Sequence, residues 1–179
     1  SYTEGVKSGG FNPSATSSNN LEYTGETARG VEAGFKGRVL DEAASLNVTV
    51  FHTAFDDLQV SNFDGTSFVV GNAAAATVQG VEAEFSWLIL ENLQVDTSFA
   101  LLDAQYDNFP NAPCTAVAQV TIATCATEGT NLAGEDLLRA PAWSANLGIN
   151  YGLPLPALGA QLTFAVNMLL SDSYFVNID

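Results

Sequence analysis

The stretch Gln161-Leu162-Thr163-Phe164-Ala165-Val166-Asn167-Met168-Leu169-Leu170 decides the fold. Large apolar side chains occupy every even position from 162 to 170, and polar or small side chains occupy most positions between them. A period of two predicts a β-strand with one apolar face and one polar face. Ordinary strands have about 5–6 residues, whereas a strand that crosses a bilayer needs about 9–11. The length of this alternation therefore indicates a membrane-spanning strand.

Similar alternation recurs along the chain. The quoted stretch belongs to a segment at about 160–175, and the other five segments lie at about 29–40, 45–58, 77–90, 93–107 and 142–153. The faces of the 45–58 segment are ambiguous, because Leu46, Val48 and Val50 fall on one side and Phe51 and Phe55 on the other. The pattern predicts an all-β fold, an antiparallel meander of long strands.

Composition narrows the possible partners. The 179 residues include 20 Asp and Glu against 5 Lys and Arg, a formal net charge of −15. So few cations argue against a nucleic-acid partner and against electrostatic docking on an anionic membrane. Hydrophobic residues make up 47% of the chain, which argues against an acidic disordered tail. No apolar run reaches the roughly 18 residues of a transmembrane helix, and nothing at Ser1 resembles a signal peptide.

The connections between the strands alternate in length. Short turns are predicted at 41–44, 91–92 and 154–159. Longer links are predicted at 59–76, where a short strand at 67–71 forms a hairpin, and at 108–139. Outer-membrane barrels show this alternation, with short turns in the periplasm and long loops outside. The pattern favours a barrel over a soluble sandwich.

The charges of the first long strand identify its wet face. Lys36 and Arg38 share a face with Glu32, and a cation at the lipid midplane would cost about 2–4 kcal/mol. The polar face must then line a lumen, where both cations can pair with carboxylates. The predicted lumen-facing charges are Glu32, Lys36, Arg38, Glu82, Glu84 and Asp96. The predicted lipid-facing residues are Phe35, Phe85, Trp87, Phe99, Trp143, Leu147, Phe164 and Val166.

Few residues carry reactive chemistry. Cys114 and Cys125 share one polar loop, which favours a loop disulfide in an oxidising compartment over two free thiols. The single histidine, His52, is interpreted as a packing or lumen-lining residue, and Glu82 and Glu84 as wall charges. Nucleophile, zinc-protease and phosphate-loop motifs are missing from the sequence. We therefore predict no enzyme activity, no catalytic residues, no metal site and no cofactor.

Short segments in a fixed order resemble TonB-dependent outer-membrane receptors. The first is Gly5-Val6-Lys7-Ser8-Gly9-Gly10-Phe11-Asn12, and Glu26 follows it. The remaining segments are Val31-Glu32-Ala33-Gly34-Phe35-Lys36, Leu46-Asn47-Val48-Thr49-Val50-Phe51, Asp57-Leu58-Gln59, Asn72-Ala73, Gly80-Val81-Glu82-Ala83-Glu84 and Ala140-Pro141. Gly30-Val31-Glu32-Ala33 and Gly80-Val81-Glu82-Ala83 also repeat one another. The match extends over essentially the whole chain.

The resemblance implies a 22-stranded transmembrane β-barrel, closed by an N-terminal plug, that imports a scarce nutrient such as a ferric siderophore with energy passed through TonB. With about six spanning strands and the stub of a seventh, residues 1–179 would be an incomplete section from the C-terminal half of that barrel, without plug or final strands. The implied location is the bacterial outer membrane. The implied partners are lipid, the remaining barrel and plug, TonB through the plug, and an unidentified small ligand.

Two other classes stay open at this point. One is a complete small outer-membrane barrel that serves as an anchor or adhesin. The other is a secreted β-sandwich binding module with acidic loops. The strand count and the ordered family segments favour the receptor.

Overall fold

The computed structural model describes residues 1–13, 21–63, 68–110, 112 and 129–176. Seven of its strands form one antiparallel sheet in the order β1-β4-β5-β6-β7-β8-β9. In chain order the strands are β1 (Tyr2–Lys7), β2 (Gly10–Phe11), β3 (Glu22–Tyr23), β4 (Glu26–Val39), β5 (Ala44–Phe63), β6 (Phe68–Leu90), β7 (Leu93–Asn108), β8 (Trp143–Leu155) and β9 (Ala160–Ser171). The predicted meander of six long strands with a shorter one before them is confirmed.

The connections divide the sheet into two ends. Residues 40–43 and 91–92 and a 3-10 turn at Pro156–Leu158 join strands at one end, which we call the turn end. The links from β1 to β4, from β5 to β6 and from β7 to β8 lie at the other end, which we call the loop end. The predicted short turns are present at the turn end, and the β7–β8 link is long as predicted, but the β5–β6 link spans only the positions between Phe63 and Phe68, so the predicted alternation in length holds only in part.

The hairpin predicted within 59–76 is present, because residues 60–63 pair with 68–71 as far as Phe63 opposite Phe68. It continues β5 and β6 directly, so the long link expected there is not found. A bulge between Phe55 and Gln59 interrupts the register, and Asp57 has a left-handed φ of 56° there. A bulge lets the ladder continue past an extra residue and increases the local twist. The two strands therefore extend well beyond the level at which β8 begins.

The long strands form a single layer that is open within the described residues, with β1 and β9 at its edges. A sandwich would bury one face of this sheet against another sheet, but large apolar side chains stay exposed, such as Phe35 at 59% and Val166 at 62%. The sandwich alternative is therefore wrong for the described part of the chain. Among those same residues, no helix is both long and apolar enough to cross a bilayer.

Candidate functional site

The strand register sorts the side chains into two faces. Residues paired across neighbouring strands point to the same side of a sheet. One such row contains Lys36, Asn47, Glu84, Ser98 and Asn146. All six predicted lumen-facing charges lie on this side, the polar face. All eight predicted lipid-facing residues lie on the opposite side, the apolar face. Their assignment to lumen and lipid stays a prediction.

The polar face carries two groups of side-chain hydrogen bonds near the turn end. Asn47 Nδ2 donates to Glu84 Oε2 at 3.1 Å. On the next row, Ser86 Oγ donates to Asp96 Oδ1, and Gln94 Nε2 donates to the same carboxylate at 2.9 Å. A shallow groove of about 370 Å³ beside them is lined by Glu32, Lys36, Asn47, Thr49, Glu82 and Glu84. Such a surface suits water or a polar partner.

Lys36 and Arg38, the two cations of this face, do not form the predicted pairs with carboxylates of the strands in the described structure. Arg38 lies 3.8 Å from Glu42, a turn residue, and both side chains are largely exposed. Within the described residues, the Lys36 ammonium has no carboxylate within 4.0 Å. Lys36 instead lines the groove that also contains Glu82 and Glu84. It is therefore available to a group that enters the groove.

The apolar face ends at a sharp boundary toward the loop end. His52, Gln79 and Asp103 form one register row on this face. Gln79 links the other two, because its Oε1 lies 3.2 Å from His52 Nδ1 and its Nε2 donates to Asp103 Oδ2 at 2.9 Å. Below this row, toward the turn end, the face carries residues such as Val50 and Val81. His52 thus lies on the apolar side, opposite to the side that carries the six predicted lumen-facing charges.

Polar side chains continue on this side beyond the boundary. Arg29 Nη1 lies 2.7 Å from Asp56 Oδ2, and Arg29 Nε lies 3.6 Å from Glu4 Oε1. Thr77 Oγ1 donates to Asp107 Oδ2 at 2.7 Å. The same side of the sheet is therefore apolar below the row of His52 and polar above it.

The opposite side changes in the reverse sense at nearly the same height. Toward the loop end it carries a small apolar cluster, which we call the upper cluster. Its buried members are Ala76, Tyr106, Phe109 and Ala112, and Phe55, Leu58, Val60, Leu132 and Leu137 pack against them. The rings of Tyr106 and Phe109 lie 5.1 Å apart. Burial raises the pKa of the Tyr106 hydroxyl above its ordinary value.

This inversion explains the ambiguous faces of β5. Val50 points to the apolar face at the last apolar row, and Phe51 points to the other face, where its ring lies over Gly80. A Cβ atom at Gly80 would overlap both that ring and the carbonyl oxygen of Leu101. Gly80 therefore permits the first apolar side chain of the inverted region. In the sequence, the adjacent apolar residues Val50 and Phe51 interrupt the alternation at this point. The sequence alone did not show that the interruption is a change of the apolar side.

The structure does not test the predicted disulfide, because Cys114 and Cys125 lie outside the described residues. The disulfide therefore stays a prediction. The described residues contain no group of three or more His, Cys, Asp or Glu side chains that could hold a metal ion.

Comparison with known proteins connects this geometry to a family. A family model described as "TonB dependent receptor-like, beta-barrel" matches residues 1–178. Among solved structures, the chain resembles the ferric yersiniabactin uptake receptor FyuA from Yersinia pestis, with a TM-score of 0.72 and 16% identity over 98% of this chain and 23% of that one.

Two further structures share the fold. The siderophore receptor PiuA from Acinetobacter baumannii gives a TM-score of 0.64 and 21% identity over 96% of this chain and 23% of PiuA. The alcaligin outer membrane receptor FauA from Bordetella pertussis gives 0.52 and 17% over 96% of this chain and 26% of FauA. The chain spans about a quarter of the length of these structures, and at such identities the likeness concerns the fold.

Proposed function

The chain belongs to the TonB-dependent receptor β-barrel family, and on that premise we propose that it forms part of the barrel wall of an outer-membrane transport receptor. In this proposal the apolar face contacts lipid and the polar face lines the lumen. The turn end faces the periplasm, and the loop end faces the outside, where the loops help to capture ligand.

The inversion of polarity carries the proposal. A strand that leaves a bilayer no longer meets lipid on its outer side, so that side becomes polar. From Val81 to Ile89, the apolar side of β6 extends about 27 Å along the strand. A tilt of about 35–45° reduces this to about 20 Å, close to the roughly 25 Å apolar band of outer-membrane barrels. The row of His52, Gln79 and Asp103 then marks the outer boundary of the membrane.

Spin labels along β6 in the intact receptor are expected to locate this boundary. We expect labels at Val81, Ala83 and Phe85 to be relaxed by oxygen, which concentrates in lipid. A label at Thr77, on the same side of the same strand, should instead be relaxed by a water-soluble nickel complex. A label at Glu84 controls for the lumen side. Equal water exposure at Thr77 and at the three positions expected in lipid would contradict the assignment.

The transport mechanism needs parts beyond the described sheet. We propose that a plug closes the lumen against the polar face, and that TonB acts on the wall only through the plug. The three structural relatives are named for ferric yersiniabactin, a siderophore and alcaligin. These names support a ferric siderophore as the transported ligand. In this proposal the wall binds and guides, and it carries out no reaction.

Uptake in an iron-restricted bacterium tests the proposal. Deleting the gene for the intact receptor is expected to abolish growth on at least one ferric siderophore as the sole iron source. The wild-type gene should restore growth, but not in a strain that lacks TonB. Loss of haem, cobalamin or sugar uptake instead would overturn the siderophore assignment and leave transport standing. Unchanged uptake of all these nutrients would overturn the transport role.

A further inference from the structure

The connection between β1 and β4 lies against the β5–β6 hairpin through side-chain carboxamides. Asn12 Nδ2 donates to the carbonyl oxygen of Val70 at 2.7 Å, and the Val70 amide donates to Asn12 Oδ1 at 2.9 Å. Asn12 is only 5% exposed. A carboxamide carries both a donor and an acceptor, so it can pair with a peptide group as a neighbouring strand does. Asn12 uses this property to join the connection to β6.

Asn72 makes the second set of bonds. Its Nδ2 donates to the carbonyl oxygens of Thr24 at 3.0 Å and Asp57 at 2.9 Å. The Thr24 amide donates to Asn72 Oδ1 at 2.6 Å. One side chain of β6 thus holds the connection and the bulge of β5 together.

Gln59 makes the third set. Its Nε2 donates to the carbonyl oxygens of Ser8 and Thr24, at 3.0 Å each. Its own amide donates to Glu26 Oε2 at 2.8 Å. Gln59 lies at the end of the bulge, where it pairs with Asn72 across the hairpin. The bulge therefore places two carboxamides side by side.

Close backbone packing supports the same arrangement. A Cβ atom at Gly9 would overlap the carbonyl oxygen of Tyr23, so only glycine permits this approach. Gly5, in the same segment of sequence, has nothing within 4 Å of the position that a Cβ atom would take. The connection is thus folded onto itself as well as onto the hairpin.

We propose that Asn12, Gln59 and Asn72 form a latch that couples residues 8–13 and 21–25, the described parts of the β1–β4 connection, to the described part of the β5–β6 hairpin, so that these segments move as one unit. Within the described residues, no backbone ladder joins them, so the coupling depends on these neutral side chains. The functional meaning rests on the proposed function, in which the loop end is the ligand-facing mouth. There, a displacement of one loop by ligand would displace the other.

Hydrogen exchange in the intact receptor, reconstituted in lipid, tests the coupling without any transport step. Asn12→Asp and Asn72→Asp keep the acceptor oxygen but replace the donor with an oxygen that faces carbonyl groups. We expect Asn12→Asp to accelerate exchange at least about tenfold in residues 22–25, beyond Leu21, although the Asn12 side chain bonds to Val70 on the hairpin. Asn72→Asp should accelerate exchange of the Asn12 amide, which donates to the carbonyl oxygen of Leu21.

The matched control is Asn92→Asp, because Asn92 Nδ2 also donates to a backbone carbonyl, that of Gly152, but at the turn end. It should leave exchange in residues 22–25 unchanged. Gly9→Ala against Gly5→Ala gives a second comparison that changes no hydrogen-bonding side chain, and only Gly9→Ala should accelerate exchange. Acceleration confined to the direct partners of each replaced residue, or none at all, would overturn the coupling. Because transport is not measured, a failed uptake experiment would leave this result unaffected.

Discussion

Phe99→Arg is expected to destabilise the folded, membrane-inserted receptor by about 2–4 kcal/mol, the cost of a cation on the lipid face near the midplane. Phe99 is 43% exposed on the apolar face, between Ala83 and Ala145 on the neighbouring strands. No carboxylate lies in the same row of this face, so the guanidinium would stay unpaired in lipid. The measurement is the fraction of receptor that remains folded at each urea concentration, with the receptor in lipid vesicles.

Ser98→Arg is the matched control. Ser98 is the preceding residue of β7 but belongs to the polar face, directly across from Glu84. An arginine there stays on the polar face, where it can pair with that carboxylate, so we expect a change within about 0.5 kcal/mol. Equal destabilisation by the two variants would contradict the assignment of the faces to lipid and lumen.

The alternation of apolar and polar residues was sufficient to predict the six long strands and the faces of all of them except β5. It places Phe99 and Glu84 on opposite sides without any structure, because period two is a local property of the backbone. The register then follows from short turns such as residues 91–92. The upper part of β5 could not be predicted in the same way. After Phe55, the bulge changes which residues share a side, and a bulge depends on contacts from distant parts of the chain.

The latch illustrates the same limit. Asn12, Glu26, Gln59 and Asn72 all lie in segments by which the sequence resembles the receptor family. The order of these segments indicated the family but not that the residues meet. Their meeting depends on the bulge at Asp57, which brings Gln59 opposite Asn72. Short polar side chains that bond to backbone leave no periodic signal in a sequence, so such contacts become visible only once the fold places the backbone.

Phe109→Ala is expected to detach residues 129–137 from the sheet. Phe109 is 1% exposed at the centre of the upper cluster, and removing a buried Phe side chain costs about 3–5 kcal/mol. The cluster touches only the loop end of the polar side of the sheet, so the cost should fall on local attachment. We expect the open population of this segment to rise about 100-fold or more, since each 1.4 kcal/mol changes a population about tenfold.

The backbone of this segment explains why the effect should stay local. Beyond the start of β8, the edge of β7 is covered by an irregular run of hydrogen bonds: Gly134 N donates to Tyr106 O at 2.7 Å, and Leu137 N donates to Ala104 O at 2.8 Å. These bonds alone leave the segment exposed to water, and packing against Phe109 is what makes their opening costly. Without the ring, residues 129–137 should exchange and be cleaved by protease while β4–β7 stay protected.

Phe164→Ala provides the contrast for this experiment. Phe164 is 52% exposed on the apolar face of β9, where its ring stacks on that of Tyr151. Losing this ring removes a similar apolar surface but no contact with the upper cluster, so protection of residues 129–137 should not change. If residues 129–137 are equally protected from exchange in the Phe109→Ala and Phe164→Ala variants, the upper cluster does not hold this segment on the sheet. The polarity inversion would then mark the membrane boundary without building a separate core above it.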